Sequence, residues 1–289
     1  MTAPPTTVHS SNGVDVVLHD LGGTGSTLMV SHATGFHGRC YLPLAHALAD
    51  RFHSLALDYR GHGDTPLPAD RDGRSIHWDH YADDAEAVAT ALRERAGGPV
   101  VGFGHSMGGA CLLMAALRDP DVFERLVLFE PIVFPPPDPS APPHENRLAN
   151  GARRRRPSFP SFDAAIESYG SRPPLGSFTP EALDAYVRFG FSLGEDGQVH
   201  LKCDPETEAR TFENSATHDT WQRLPQIDLP VMVVAGRVEE GQPSAFAGAV
   251  AEQLPHGTLV VRDDLDHFGP MSHPDVVASL VTGFAGDHD

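Results

Sequence analysis

Apolar residues recur along this chain in two rhythms that alternate. Short apolar runs of strand length fall at Val14–His19, Thr27–His32, His53–Asp58, Pro99–Phe103, Leu126–Phe129, Val231–Ala235 and Leu259–Val261. Between them lie stretches with helical spacing at Leu42–Ala49, Trp78–Ala96, Gly109–Leu117 and Val276–Phe284. In the second of these, Tyr81, Ala85, Val88 and Leu92 share one face and acids occupy the other, the stripe of a helix laid on a core. Strand and helix in alternation predict an α/β fold, a mostly parallel sheet flanked by helices on both faces. The run Val14–His19 alternates and stops at Gly22-Gly23, which predicts a hairpin-like start.

The alternation fails between Pro135 and Pro230. That segment opens with Pro135-Pro136-Pro137-Asp138-Pro139, and at roughly a hundred residues it is too long for a loop in a compact domain. Helical patterns at Phe162–Tyr169 and Pro180–Phe191, with Phe189, Phe191, Phe212 and Trp221, give it apolar material that a disordered linker lacks. The expected organisation is a core made of residues 1–134 and 231–289, with residues 135–230 inserted as a helical lid, or cap.

Charge narrows the partners. A formal net charge of −18 over 289 residues argues against nucleic acid and against anionic membrane surfaces. The run Arg153-Arg154-Arg155-Arg156, between Gly151 and Pro157, reads as a solvated basic turn. No apolar stretch approaches the ~18 residues that a membrane span needs. The start, Met1 to Pro5, has neither a basic nor an apolar segment of a signal peptide. Cys40, Cys111 and Cys203 are widely spaced, as suits a reducing compartment. A cytoplasmic protein with a small-molecule substrate is expected, its oligomeric state left open.

Candidate chemistry centres on Gly104-His105-Ser106-Met107-Gly108. An apolar strand precedes this G-x-S-x-G turn and a small-residue helix follows it, the setting of a nucleophile elbow that lifts Ser106 above the sheet. A serine hydroxyl needs a base to take its proton and an acid to orient that base. The base is expected on the loop after the last strand, where Asp266-His267-Phe268-Gly269-Pro270 lies. His267 is therefore preferred over His256, which precedes the strand, His273, which opens the closing helix, and His288 in the tail.

These pieces, together with Ser31-His32-Ala33-Thr34-Gly35-Phe36 and Asp58-Tyr59-Arg60-Gly61-His62-Gly63-Asp64-Thr65, resemble the α/β-hydrolase-fold serine hydrolases from about Val14 to Phe284. A serine at the elbow, where dehalogenases and epoxide hydrolases carry aspartate, implies acyl transfer without metal or cofactor. The stretch from Asp58 is read as bracing, so His62 is not the base. In most members the acid is an aspartate three residues past a glycine after the seventh core strand, and Glu239 holds that place here. Some members take a glutamate from the end of the sixth strand, which Leu128-Phe129-Glu130-Pro131 resembles. Glu130 is preferred, because an unpaired carboxylate among Phe129, Pro131 and Ile132 would be costly and His267 would partner it; Glu239 is the alternative. The oxyanion hole is expected to use the Met107 amide and that of Phe36, with Thr34 as the alternative donor. The expected activity is cleavage of an ester-type acyl bond of a small organic substrate through a Ser-His-Glu triad and an acyl-enzyme. A lactone or C–C bond hydrolase, or a non-catalytic small-molecule receptor on the same fold, are the alternatives.

Overall fold

The computed structural model describes residues 4–68, 76–136 and 145–286. Its strands are β1 (Thr6–His9), β2 (Asp15–Gly22), β3 (Ser26–Ser31), β4 (Phe52–Asp58), β5 (Val100–His105), β6 (Phe123–Phe129), β7 (Ser158–Phe159), β8 (Phe191–Leu193), β9 (Val199–Leu201), β10 (Val231–Ala235) and β11 (Gly257–Val261). Eight of them form one sheet in the order β1-β2-β4-β3-β5-β6-β10-β11. From β4 to β11 the pairings are parallel, whereas β2 pairs antiparallel with both β1 and β4. A parallel sheet covered on both faces needs strands that are apolar on both sides. β5 meets that need, with every residue from Val100 to His105 buried.

Helices α1 (Leu42–Ala47), α2 (Trp78–Ala96) and α3 (Met107–Arg118) connect the first strands. The insert holds α4 (Arg147–Arg153), α5 (Phe162–Gly170), α6 (Pro180–Gly190), α7 (Pro205–Glu213) and α8 (Thr220–Arg223). The chain then continues through α9 (Ser244–Gln253), α10 (Gly269–Ser272) and α11 (Pro274–Ala285). One buried cluster packs Val88 and Leu92 of α2, Leu112 and Leu113 of α3 and Val250 of α9 on the sheet. On the opposite face a second cluster joins Leu44 of α1 and Val277 and Val281 of α11 to Phe159, Tyr186 and Phe191 of the insert.

Three expectations change. Gly22-Gly23 does not turn a hairpin, because β4 lies between β2 and β3; the first hairpin is β1–β2, through Ser11–Gly13. The insert is not wholly helical: β7, β9 and β8 form a small antiparallel sheet. Its last residues also leave it. Leu224, Ile227 and Leu229 are buried in the α2–α3 cluster and Trp221 packs against it, so the core reclaims the chain before Val231.

Candidate active site

At the end of β5 the chain turns through Ser106 at φ 57° and ψ −117°, and α3 begins at the next residue. Such a backbone is costly for a residue with a Cβ and persists only where its surroundings enforce it. Here packing enforces it. A Cβ on Gly108 would lie 2.2 Å from the Ser31 carbonyl oxygen, and one on Gly104 2.6 Å from Gly109 Cα, so glycine at both positions lets α3 press onto β3 and β5. The Ser106 side chain does not cap α3. Its hydroxyl is left free at the positive end of that helix.

Two backbone hydrogen bonds stitch the elbow to the end of β6: Ser106 N–H donates to Phe129 O at 2.9 Å, and Ile132 N–H donates to Ser106 O at 3.1 Å. Glu130 lies between those two partners. It too has a positive φ, 45°, and its N–H is held by Val234 O at 2.9 Å. The residue is buried, with 1% exposure, yet both carboxylate oxygens are engaged. Oε1 accepts the Gly236 N–H at 2.8 Å, and Oε2 accepts from Nδ1 of His267 at 2.6 Å. A carboxylate on Nδ1 fixes the proton there and leaves Nε2 as the free nitrogen. Among the described residues neither that Nε2 nor Ser106 Oγ has a hydrogen-bond partner. Glu239 lies elsewhere, on an exposed loop, with its N–H held by Ser244 Oγ at 3.2 Å. The end of β10 thus sends the Gly236 amide to the Glu130 carboxylate, and among the described residues Glu239 has no bond to His267.

The loop after β3 revises one expectation. The Phe36 N–H donates to Ala33 O at 3.1 Å, so it closes the turn rather than pointing at the serine. The Thr34 amide has no backbone acceptor among the described residues, and Thr34 Oγ1 touches Met107 Sδ at 3.4 Å. Met107 opens α3, so its amide has no acceptor within the helix. Among the described residues the Thr34 and Met107 amides thus lack a backbone acceptor, whereas the Phe36 amide has one.

The alpha/beta hydrolase family model matches residues 12–280. The chain belongs to the alpha/beta hydrolase family. It is 24% identical to a 2-(acetamidomethylene)succinate hydrolase of Mesorhizobium japonicum, over 91% of this chain and 88% of that one. It is also 24% identical to a pimeloyl-[acyl-carrier protein] methyl ester esterase of Aeromonas hydrophila, over 91% and 97%. The crystal structure of E-2-(acetamidomethylene)succinate hydrolase superposes with a TM-score of 0.76, at 21% identity over 97% of this chain and 99% of the other.

In this hydrolase the stretch from Asp58 braces the loops around the elbow. Asp58 accepts from the Gly38 and Asp64 amides, each at 2.7 Å, and from His19 Nε2 at 2.8 Å. Burial alone would raise its pKa, but the His19 hydrogen bond and the neighbouring imidazoles hold it well below the usual carboxylate range. Arg60 pairs with Asp84 in full burial, at 2.6 and 2.9 Å. Burial lowers His62 to about 4 and His32 to about 3, so both are neutral near pH 7. His32 then donates from Nδ1 to Ala33 O at 2.7 Å and accepts the Tyr59 amide on Nε2 at 3.0 Å. Among the described residues one trio of metal-binding types, His19, Asp58 and Asp64, brings its ligand atoms within 4.8 Å. Both Asp58 oxygens are already hydrogen-bonded, which makes the trio a structural knot. No helix among the described residues is long and apolar enough to cross a membrane.

The arginine run is not one solvated turn. Arg153 does lie at the surface, bonded to Glu206 at 2.8 Å and Glu213 at 2.6 Å. Arg155 turns inward, onto the Glu208 carboxylate and the hydroxyls of Tyr169 and Tyr186. Glu208 in turn lies over the loop after β3, where a Cβ on Gly35 would meet its Oε1 at 2.5 Å. Sequence reasoning missed this pair. Nothing in a tetra-arginine run marks which side chain faces inward.

Proposed function

We propose that this hydrolase cleaves an ester-type acyl bond of a small organic substrate, with Ser106 as nucleophile, His267 as base and Glu130 as the acid that orients it. The observation carrying this reading is the buried Glu130 carboxylate bonded to Nδ1 of His267 at the end of β6, stitched to the elbow by backbone hydrogen bonds. Ser106 Oγ adds to the acyl carbon as its proton passes to His267 Nε2. Glu130 stabilises the imidazolium, and the Thr34 and Met107 amides receive the oxyanion. The proton then goes to the leaving group as it departs. Water, deprotonated by the same imidazole, releases the acyl group and restores the serine.

The insert serves as lid in this reading. Its Phe178 and Tyr186 lie against Phe36 of the loop after β3, ring centres at 6.1 and 5.3 Å, and Phe178 lies 5.7 Å from Phe268, the neighbour of His267. Such an aromatic wall suits an apolar acyl group. The names of the relatives, a succinate-derivative hydrolase and a methyl ester esterase, also support acyl cleavage. The test is p-nitrophenol release from short-chain p-nitrophenyl esters, followed by a panel of lactones, amides and β-diketones. Wild type should turn over and be labelled by a fluorophosphonate, while Ser106→Ala should fold and lose turnover by ~10⁴- to 10⁶-fold. Labelling or turnover that persists in the alanine variant would overturn the assignment.

A further inference from the structure

His105, the residue before Ser106, has no part in the proton path above, yet its ring occupies the centre of the site. Ring centres place it 4.9 Å from His267, 5.7 Å from Phe129, which precedes Glu130, and 6.4 Å from Phe36 of the loop after β3. It is fully buried, and so is Tyr41 beside it. Both of its nitrogens are bonded, Nε2 to the backbone oxygen of His267 at 2.8 Å and Nδ1 to the Tyr41 hydroxyl at 2.8 Å. That hydroxyl also receives the Ala33 N–H at 3.1 Å.

The partners fix every proton in this chain. A carbonyl oxygen can only accept, so Nε2 carries the hydrogen and donates it to His267 O. Burial, and then the adjacent His267, hold His105 far below the usual imidazole range, so the ring is neutral and Nδ1 is an acceptor. The Tyr41 O–H must therefore donate to Nδ1, which leaves its oxygen to accept from Ala33. One directed chain results: Ala33 N–H to Tyr41 O–H to His105 Nδ1, then His105 Nε2–H to His267 O. Its ends are Ala33, the residue before the proposed oxyanion donor Thr34, and the backbone of His267, the proposed base.

We propose that His105 and Tyr41 are positioning residues, whose hydrogen-bonded chain fixes the loop after β3 and the His267 loop relative to each other across the elbow. This rests on the reading of Ser106 and His267 as nucleophile and base. The two loops leave different strands, and among the described residues no other hydrogen bond ties them directly together. Because catalysis depends on sub-ångström placement of donors and base, loosening this tie lowers the rate of the chemical step and leaves ground-state binding largely intact.

Three variants test it on one p-nitrophenyl ester, with active sites counted by complete fluorophosphonate labelling. Tyr41→Phe deletes a single O–H and keeps the ring; His105→Phe deletes both nitrogens; His105→Gln keeps a donor at the reach of Nε2. Per labelled site, kcat should fall about 10-fold in Tyr41→Phe and about 10²-fold in His105→Phe, with KM within about threefold, and His105→Gln should recover part of the loss. The Tyr41→Phe/His105→Phe double variant should be no slower than His105→Phe alone, because the two act in one chain. Wild-type kcat per labelled site with only a lower melting temperature would reduce the chain to a structural one and overturn the proposal, as would a raised KM at unchanged kcat. Tyr41→Phe and His105→Gln carry the test if His105→Phe does not fold. Ser106→Ala is the control that separates the two failures: if it stays active, the nucleophile assignment fails, and if it is dead beside wild-type Tyr41→Phe and His105→Gln, only the positioning chain fails.

Discussion

Glu130→Gln keeps the shape of the side chain and removes the charge that would stabilise an imidazolium at His267. Turnover should drop by ~10²- to 10⁴-fold, while Glu239→Gln, at an exposed loop position, should stay near wild type. Steady-state kinetics of both on one ester decides the matter, and a crippled Glu239→Gln beside an active Glu130→Gln would move the acid to the loop after β10. At this scale the sequence was informative wherever the chemistry is local. Ser106 is marked by glycines two residues away on each side, and His267 by its place after the last strand. Glu130 was legible through cost, as a charge among apolar neighbours. The engagement of the Phe36 amide was not legible, because aligning Gly35-Phe36 with a shorter loop says nothing about which N–H closes the turn. The Phe36 amide closes it onto Ala33.

Among the elements, the insert tests how packing selects substrate. Phe178→Ala and Phe178→Leu should change the ranking of ester chain lengths more than they change the melting temperature, since the Phe178 ring borders Phe36 and Phe268. Unchanged ranking in both variants would place the acyl pocket elsewhere. Arg155→Met addresses a different property. It strands the buried Glu208 carboxylate of α7 against the loop after β3, and losing one partner of a buried pair costs about 3–5 kcal/mol, which a denaturant titration reads directly. A variant as stable as wild type would show that the pair contributes nothing net. Helices α5 and α6 were legible because apolar residues recur over two to three turns. β7, β8 and β9, two or three residues each, are too short for a period of two to register, and they exist because they pair with one another. The α9 helix escaped notice for another reason: it is built mainly of small residues, Ala245 to Ala251, with little contrast between its faces.

For the whole molecule, the buried histidines set the response to acid. Burial holds His32 at about 3 and His37 and His62 at about 4, against 6.5 in the unfolded chain. Below pH 6.5 the unfolded chain therefore takes up protons that the folded one refuses, and stability present above that pH is lost as the pH falls toward 4. At pH 5 each imidazole withdraws about 2 kcal/mol, so melting should fall on the order of 10 °C between pH 7.5 and pH 5. Calorimetry at the two pH values checks this, and an unchanged midpoint would mean that these rings are protonated or solvated when folded. By itself the sequence determined the alternation of strand and helix, hence the layered α/β core, together with the strand–turn–helix at Ser106 and the place of His267 on the loop after the last strand. Those follow from periodicity and from residues adjacent in the chain. Only the tertiary structure decided the strand order, with β4 between β2 and β3, the partner of His267, the amide that closes the loop after β3 and the arginine that turns inward. Apart from that loop closure, each of those depends on a contact between residues far apart in the chain: His267 bonds Glu130 across 137 positions and Arg155 bonds Glu208 across 53. Local pattern fixes which elements form; which groups meet is set by how the elements pack.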